Sequence, residues 1–130
     1  MSDSKGRIYI VGIGPGSTAH LTPAAQKAIQ DAEIIVGYKT YLDLVRDLIC
    51  DKEVMSSGMR QEVERCSRAV ELAGEGKRVA IICSGDPGIY AMAGLVFEII
   101  SGQRSAVSGL DIEIEVIPGI PALSASAARL

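Results

Sequence analysis

The chain has 130 residues, of which 48% are apolar, and a formal net charge of −3 at pH 7. This length and composition fit one folded domain and exclude both a disordered chain and two ordinary domains. The acidic balance disfavours broad binding to nucleic acid, and no segment reaches the roughly 20 apolar residues of a membrane span, so neither nucleic acid nor membrane is an expected partner.

Strands and helices alternate along the first half of the chain. Residues 7–11 are a short apolar run before glycines, which predicts a buried first strand. Thr22 and Pro23 then begin a helix, since Thr can cap it and Pro suits its first position. The inner face of this helix should comprise Ala25, Ala28, Ile29 and Ala32. The next predicted elements are a strand at 33–37, a helix from about Tyr41 to Ile49 capped by Thr40, and a brief strand at 52–55.

The helix that follows has the clearest periodicity in the chain. Its apolar residues recur at spacings of four and three, which predicts one buried face made of Met59, Val63, Cys66, Val70 and Ala73. Glycines at 74 and 76 end this helix, as glycine commonly does. Residues 78–83 are almost purely apolar, as in central parallel strands that are covered on both faces. A helix is predicted from about 89 to 100.

The last part of the chain ends inside a predicted helix. After a polar loop at 103–110, residues 111–117 alternate apolar and acidic side chains, so this fifth strand should have one wetter face or lie near an edge. Residues 121–130 begin a helix without a C-cap, and we therefore expect the chain to be part of a longer protein. Five strands separated by helices predict an α/β fold with a mostly parallel sheet and helices on both faces. This domain should span 7–130, after a disordered tail at 1–6.

The cysteines and the histidine predict neither a disulfide nor a metal site. Cys50, Cys66 and Cys83 are odd in number, far apart and without a C-x-x-C pair, which indicates free thiols in a reducing cytoplasm. His20 lies in a predicted turn, and a single histidine makes no metal site. The polar residues 1–6 lack the apolar stretch of a signal peptide. We therefore expect a cytoplasmic protein without a bound metal.

Each predicted strand is followed by residues that an ordinary connection does not need. In open parallel sheets, ligands bind outside the carboxyl ends of the strands, so five such loops at one edge predict a binding site there. The loops are residues 12–16 (GIGPG), 37–41 (GYKTY), 56–60 (SSGMR), 84–88 (SGDPG) and 118–122 (PGIPA).

The first of these loops matches a dinucleotide-binding fingerprint only in part. Its third glycine, Gly16, comes one position early, and Pro15 removes an N–H that a phosphate could use. The helix also starts too late to point at a pyrophosphate. NAD is thus disfavoured, and no G-x-x-x-x-G-K-[ST] sequence for nucleotide phosphates occurs. Glycines that serve only a tight turn are the alternative for this loop.

Charged residues in these loops are candidates for ligand contacts. Pro87 pushes Asp86 into extended backbone at the lip of the sheet, and the flanking glycines let a ligand approach closely. Helix capping by Ser84 or Asp86 is the alternative. Lys39 and Arg60 could be solvated surface charges, or they could pair with carboxylates of a substrate, for which Arg has the better bidentate geometry.

Together, these loops resemble the tetrapyrrole (corrin/porphyrin) methylase superfamily. The resemblance covers residues 7–130 and rests on G-x-G-P-G followed by L-T, on S-G-D-P-G and on P-G-x-x-A, in this order and spacing. Residues 36–41 (VGYKTY) and 56–60 (SSGMR), with Ser84 before Gly85-Asp86, are similar to the precorrin-3B C(17)-methyltransferase branch. The resemblance implies the first of two α/β domains, in a protein that is usually a homodimer.

The resemblance also implies a site for S-adenosylmethionine (SAM), whose product is S-adenosylhomocysteine, in the cleft between the two domains. The contacts on this half, carried over by motif, are Gly14, Pro15, Gly16, Ser84, Gly85, Asp86, Ile89, Pro121 and Ala122. Pro121 departs from the Thr that is common elsewhere in the superfamily, so a contact there must be packing or through its carbonyl. The candidate contacts for an anionic tetrapyrrole are Lys39, Tyr41 and Arg60.

The implied reaction is methyl transfer to ring carbon 17 of precorrin-3B, or of its cobalt-bound counterpart (cobalt-precorrin-3), with contraction of the macrocycle. No protein nucleophile is required. No catalytic acid or base is assigned, although Tyr38, Tyr41 and Asp86 are possible. The alternatives are another methylase of the same superfamily, acting at a different ring position, and a non-catalytic binding module.

Overall fold

The computed structural model describes residues 6–13, 21–58, 61–83, 88–104 and 112–117. The elements in chain order are β1 Gly6–Gly12, α1 Pro23–Asp31, β2 Ile34–Tyr38, α2 Lys39–Leu44, α3 Arg46–Ile49, β3 Glu53–Ser57, α4 Glu62–Gly74, β4 Arg78–Cys83, α5 Gly88–Arg104 and β5 Ile112–Ile117. The strands form one sheet in the order β3-β2-β4-β1-β5, and every neighbouring pair is parallel. The predicted parallel sheet of five strands is therefore confirmed.

Helices cover both faces of this sheet, as the sequence predicts. Helices α4 and α5 pack on one face through apolar side chains that include Cys66, Ala69, Val70, Met92 and Val96. Helices α1, α2 and α3 pack on the other face through side chains that include Ala25, Ile29, Leu42, Val45 and Ile49. Because apolar side chains point to both sides of the central strands, each face must be shielded from water.

Two helix boundaries follow the local signals in the sequence. The Thr22 side chain accepts a hydrogen bond from the Ala25 backbone N–H at 3.0 Å, and Pro23 is the first residue of α1. Helix α4 ends at Gly74, and Gly76 has a φ of 95°, which glycine adopts without steric cost. The N–H of Gly76 donates to the Ala73 carbonyl at 2.9 Å and thereby satisfies a carbonyl of the last turn.

The region after β2 differs from the prediction. Helix α2 begins at Lys39, immediately after the strand, so Thr40 lies inside the helix and does not cap it. The predicted helix from Tyr41 to Ile49 is divided at Val45, whose φ of −117° and ψ of 22° are not helical. The segment 37–41 is therefore the end of a strand and the first turn of a helix, and it contains no loop.

The buried face of α4 is rotated relative to the prediction. Val63 is 58% exposed, whereas Cys66, Val70 and Ala73 are buried as predicted; Met59 lies outside the described residues. The buried side chains of α4 also include Arg65, Ala69 and Leu72, which extend the buried arc to the side away from Val63. Helix α5 is longer than predicted, because residues 103 and 104 of the predicted polar loop continue it.

Strand β5 forms one edge of the sheet, and its two faces differ as predicted. Ile112, Ile114 and Val116 pack against the core beneath α4 and α5. Glu113 and Glu115 lie on the opposite face, where both carboxylates pair with Arg7 of the neighbouring strand. Across the described ranges, no helix combines the length and the apolar character needed to cross a membrane.

We predict that Gly6→Ala destabilises the fold, because β1 passes very close to the end of α4. A Cβ at residue 6 would lie 1.6 Å from the Ala73 carbonyl oxygen, which is backbone and cannot move aside. The free energy of unfolding should fall by about 2 kcal/mol or more, as measured by urea denaturation. The control is Gly94→Ala in α5, where a Cβ meets nothing within 4 Å; this change should add about 0.5–1 kcal/mol. Equal effects of the two substitutions would contradict the close approach.

We also predict that the three thiols differ in reactivity. Burial raises the pKa of the Cys66 thiol from 9.0 to about 11 and that of the Cys83 thiol to about 12, whereas Cys50 is exposed. Because the thiolate is the nucleophile, iodoacetamide at pH 8 should alkylate Cys50 first, as read by mass spectrometry of the peptides. The buried thiols hold their protons more tightly in the folded state, so stability should fall as the pH rises from about 9 towards 11. Alkylation of Cys66 or Cys83 as fast as Cys50 would contradict this burial.

Candidate functional site

The sheet has a topological switch point between β2 and β4. The chain leaves β2 through α2 and α3 on one face and reaches β3, on the far side from β4. It leaves β4 through α5 on the other face and reaches β5, in the opposite direction. In open α/β sheets, ligands bind in the crevice outside the carboxyl ends of strands at such a point. The topology therefore places the candidate site at the ends of β2 and β4.

The three segments predicted to bind the cofactor follow three adjacent strands. Residues 14–16 follow β1, residues 84–86 follow β4, and residues 121–122 come after β5; all of them lie outside the described residues. Their strands are neighbours, since Ile13 donates a hydrogen bond to the Cys83 carbonyl at 3.0 Å and Val11 is in register with Ile117. Parallel pairing thus starts all three segments at the same edge of the sheet.

Ile89 is the one predicted cofactor contact that the structure describes. It lies in the second residue of α5 and is fully buried in the core beneath α4 and α5. Its side chain therefore supports the start of α5, close to the end of β4. A contact between Ile89 and the cofactor stays a prediction.

A cavity of about 230 Å³ opens across the end of β4. Its polar lining comes from Tyr41 of α2 and from Glu62 and Arg65 of α4, and its remaining described lining is Ile82, Cys83, Ala91, Met92 and Leu95. A pocket that encloses a whole small ligand usually measures about 300–1,000 Å³. This cavity is therefore suited to part of a larger molecule.

Tyr41 reaches this cavity because α2 begins directly at the end of β2. Its ring packs edge-to-face on the ring of Tyr38, with the centroids 5.4 Å apart and an interplanar angle of 78°. Such a contact orients the aromatic ring. The predicted substrate residue Tyr41 is thus a wall of the switch-point cavity.

Arg65 lines the same cavity and was not predicted as a site residue. It is only 7% exposed, its Nη1 donates to the Gly58 carbonyl at 3.1 Å, and its Nη2 lies 3.7 Å from Glu62 Oε2. A sequence signal for its burial exists, because Arg65, Ala69 and Leu72 share one helical stripe at spacings of four and three. The prediction followed the apolar residues Val63, Cys66 and Val70 instead, and so it placed Arg65 on the exposed face.

Cys83 contributes a neutral wall to the cavity. Burial raises its pKa to about 12, so the side chain is a thiol at neutral pH and offers no nucleophile. Among the residues that the structure describes, no group of three or more His, Cys, Asp or Glu side chains could hold a metal ion.

The structure separates Lys39 from Tyr41. Residues two apart on a helix do not share a face, and Lys39 lines a second, shallower cavity of about 320 Å³ between α2, α3 and β3. Lys52 also lines this cavity, but its ammonium already donates hydrogen bonds to the carbonyls of Gln30 and Ala32 at the end of α1. Arg60, the third predicted substrate contact, lies outside the described residues.

Two curated relatives are similar over nearly all of this chain. A probable cobalt-factor III C(17)-methyltransferase of Salmonella typhimurium is 52% identical over 95% of this chain and 49% of its own length. A precorrin-3B C(17)-methyltransferase of Sinorhizobium sp is 36% identical over 96% of this chain and 48% of its own length. The chain therefore spans about half the length of each relative.

Solved structures match in fold, and one family matches in sequence. The crystal structure of the methyltransferase CobJ has a TM-score of 0.73 and 34% identity, over 96% of this chain and 51% of that chain. A uroporphyrin-III C-methyl transferase of Thermus thermophilus, complexed with S-adenosylhomocysteine, has a TM-score of 0.66 and 25% identity, over 94% and 48%. Residues 7–130 match the family described as Tetrapyrrole (Corrin/Porphyrin) Methylases. The chain belongs to the tetrapyrrole methylase family.

Proposed function

We propose that the protein carrying this chain is a SAM-dependent C-methyltransferase of cobalamin biosynthesis. It methylates C-17 of precorrin-3B or of its cobalt-bound counterpart and contracts the macrocycle. The structural observation that carries the proposal is that segments 14–16, 84–86 and 121–122 follow three adjacent parallel strands. The names of the relatives supply the reaction and the two forms of the substrate.

The proposal includes the whole protein. A second domain, beyond residues 7–130, completes the cofactor cleft, in keeping with relatives about twice as long as this chain. The protein works as a homodimer in the cytoplasm, where its free thiols stay reduced.

SAM supplies the methyl group, and the chain binds and orients it. Positive charge leaves the sulfur as the methyl group moves, so a carboxylate beside the sulfur would stabilise the ground state more than the transition state. Asp86 therefore binds a polar part of SAM away from the sulfur, such as the ribose hydroxyls or the amino group. The rate enhancement comes mainly from holding the two reactants in line.

The tetrapyrrole lies on the β2 side of the end of β4. Tyr41 lines the cavity there, and its ring packs edge-to-face on that of Tyr38. Lys39 and Arg60 receive carboxylates of the macrocycle. Lys39 lines a cavity other than that of Tyr41, so the two residues contact different side arms.

The first test is calorimetric titration of S-adenosylhomocysteine into the full-length gene product and into residues 1–130. The full-length protein should bind it, and this chain should bind it weakly or not at all, because the cofactor site is shared between two domains. NAD is the control ligand and should not bind to either protein. If S-adenosylhomocysteine bound to neither protein, although both were folded, the methyltransferase assignment would be wrong.

A second test addresses the role of Asp86. In the full-length protein, Asp86→Asn should weaken S-adenosylhomocysteine binding about tenfold or more, since it removes a charged hydrogen-bond acceptor. The kcat at saturating SAM should change by no more than about threefold, because the carboxylate does not act on the sulfur. A large fall in kcat with unchanged affinity would contradict this placement and would assign Asp86 to the chemical step.

A further inference from the structure

The residue that follows β3 is held on both sides by the start of α4. The Gly58 N–H donates to Gln61 Oε1 at 2.6 Å, and the Gly58 carbonyl accepts from Arg65 Nη1 at 3.1 Å. The Arg65 N–H in turn donates to the Gln61 carbonyl at 3.0 Å, as the first hydrogen bonds of the helix form. The backbone at the end of β3 is thus fixed to the first turns of α4.

Packing of α4 against the sheet does not explain why a buried position of this helix holds an arginine, Arg65. Arg65 is 7% exposed, whereas Arg68, one turn later, pairs with Glu71 at the surface and is 56% exposed. Removing a guanidinium from water costs free energy that an apolar side chain of similar size would not cost. Ala69 and Leu72 already provide apolar packing on the same stripe.

The order of the strands indicates which of the two reactants, the cofactor or the tetrapyrrole, lies nearer to Arg65. The proposed cofactor segments follow β4, β1 and β5, which occupy one side of the sheet. Strands β2 and β3 occupy the other side. The described lining of the cavity that Arg65 lines comes from α2, which begins directly after β2, and from α4, β4 and α5. The end of β3 is therefore linked to this cavity through Arg65, which lines the cavity and donates to the Gly58 carbonyl.

We infer that Arg65 is a positioning residue, which joins the wall of the switch-point cavity to Gly58 at the end of β3 and thereby sets the affinity for the anionic tetrapyrrole. It acts through the backbone at the end of β3 and through the cavity wall, and it does not touch the cofactor. This inference rests on the proposed function, because it assigns the residue to the tetrapyrrole half of the reaction.

The test uses Arg65→Met in the full-length protein, since Met retains an unbranched apolar side chain about as long as the aliphatic part of Arg but cannot donate to Gly58. Steady-state methylation should show a KM for the tetrapyrrole raised about tenfold or more, with kcat and the KM for SAM changed by no more than about twofold. Arg65→Lys should give an intermediate KM, because an ammonium retains one hydrogen bond to the carbonyl. Gln61→Ala, which frees the other side of Gly58, should raise the same KM by a smaller factor.

The matched control is Arg68→Met, which removes the same charge from the surface of the same helix and should change none of the three constants. Hydrogen exchange provides a readout that does not depend on turnover. The peptide 53–64 should exchange faster in Arg65→Met than in the wild type, and peptides from β1 and β4 should be unchanged.

The outcomes separate this inference from the proposed function. An unchanged tetrapyrrole KM, or equal rises in the KM values of both reactants, would overturn the positioning role while leaving the methyltransferase assignment intact. Unchanged exchange of peptide 53–64 would show that Arg65 does not hold Gly58 and would overturn it as well. A folded wild-type protein that binds no S-adenosylhomocysteine and transfers no methyl group would refute the proposed function and, with it, the substrate role of Arg65.

Discussion

The fold depends on β4, the central strand of the sheet, which pairs in parallel with β2 on one side and with β1 on the other. Its side chains alternate between the two faces: Val79, Ile81 and Cys83 pack beneath α4 and α5, while Ala80 and Ile82 pack beneath the other helices. A strand that is apolar on both faces is stable only if both faces are shielded from water. Helical crossovers on each side of the sheet satisfy this requirement and produce the three layers.

The central position of β4 also decides where two reactants can meet. The chain departs from β2 and β4 in opposite directions, which leaves a crevice between their carboxyl ends. Segments proposed for the cofactor follow β4, β1 and β5, and the cavity proposed for a part of the tetrapyrrole lies across the end of β4, where Tyr41 of α2 is one of its walls. Transfer of a methyl group depends on the alignment of donor and acceptor, and the end of β4 is the boundary at which the two sides join.

Charges in α4 differ in what they do for the fold. The pair Arg68–Glu71 is half exposed on both sides, and such surface pairs contribute little to stability. Arg65 is buried and donates a hydrogen bond to the Gly58 carbonyl, which connects α4 to the backbone at the end of β3. The two arginines of α4 thus differ in environment: Arg68 lies at the surface, and Arg65 joins the helix to the end of β3.

The sequence by itself determined the features that depend on neighbouring residues. The apolar run of β4, the cap at Thr22 and the glycine end of α4 involve contacts within a few residues, and the motifs indicate the family by residue identity alone. Only the tertiary structure decided the strand order, the rotation of α4 that exposes Val63 and buries Arg65, and the separation of Lys39 from the cavity. These features arise from packing between segments far apart in the chain, and the periodicity of a single segment does not depend on that packing.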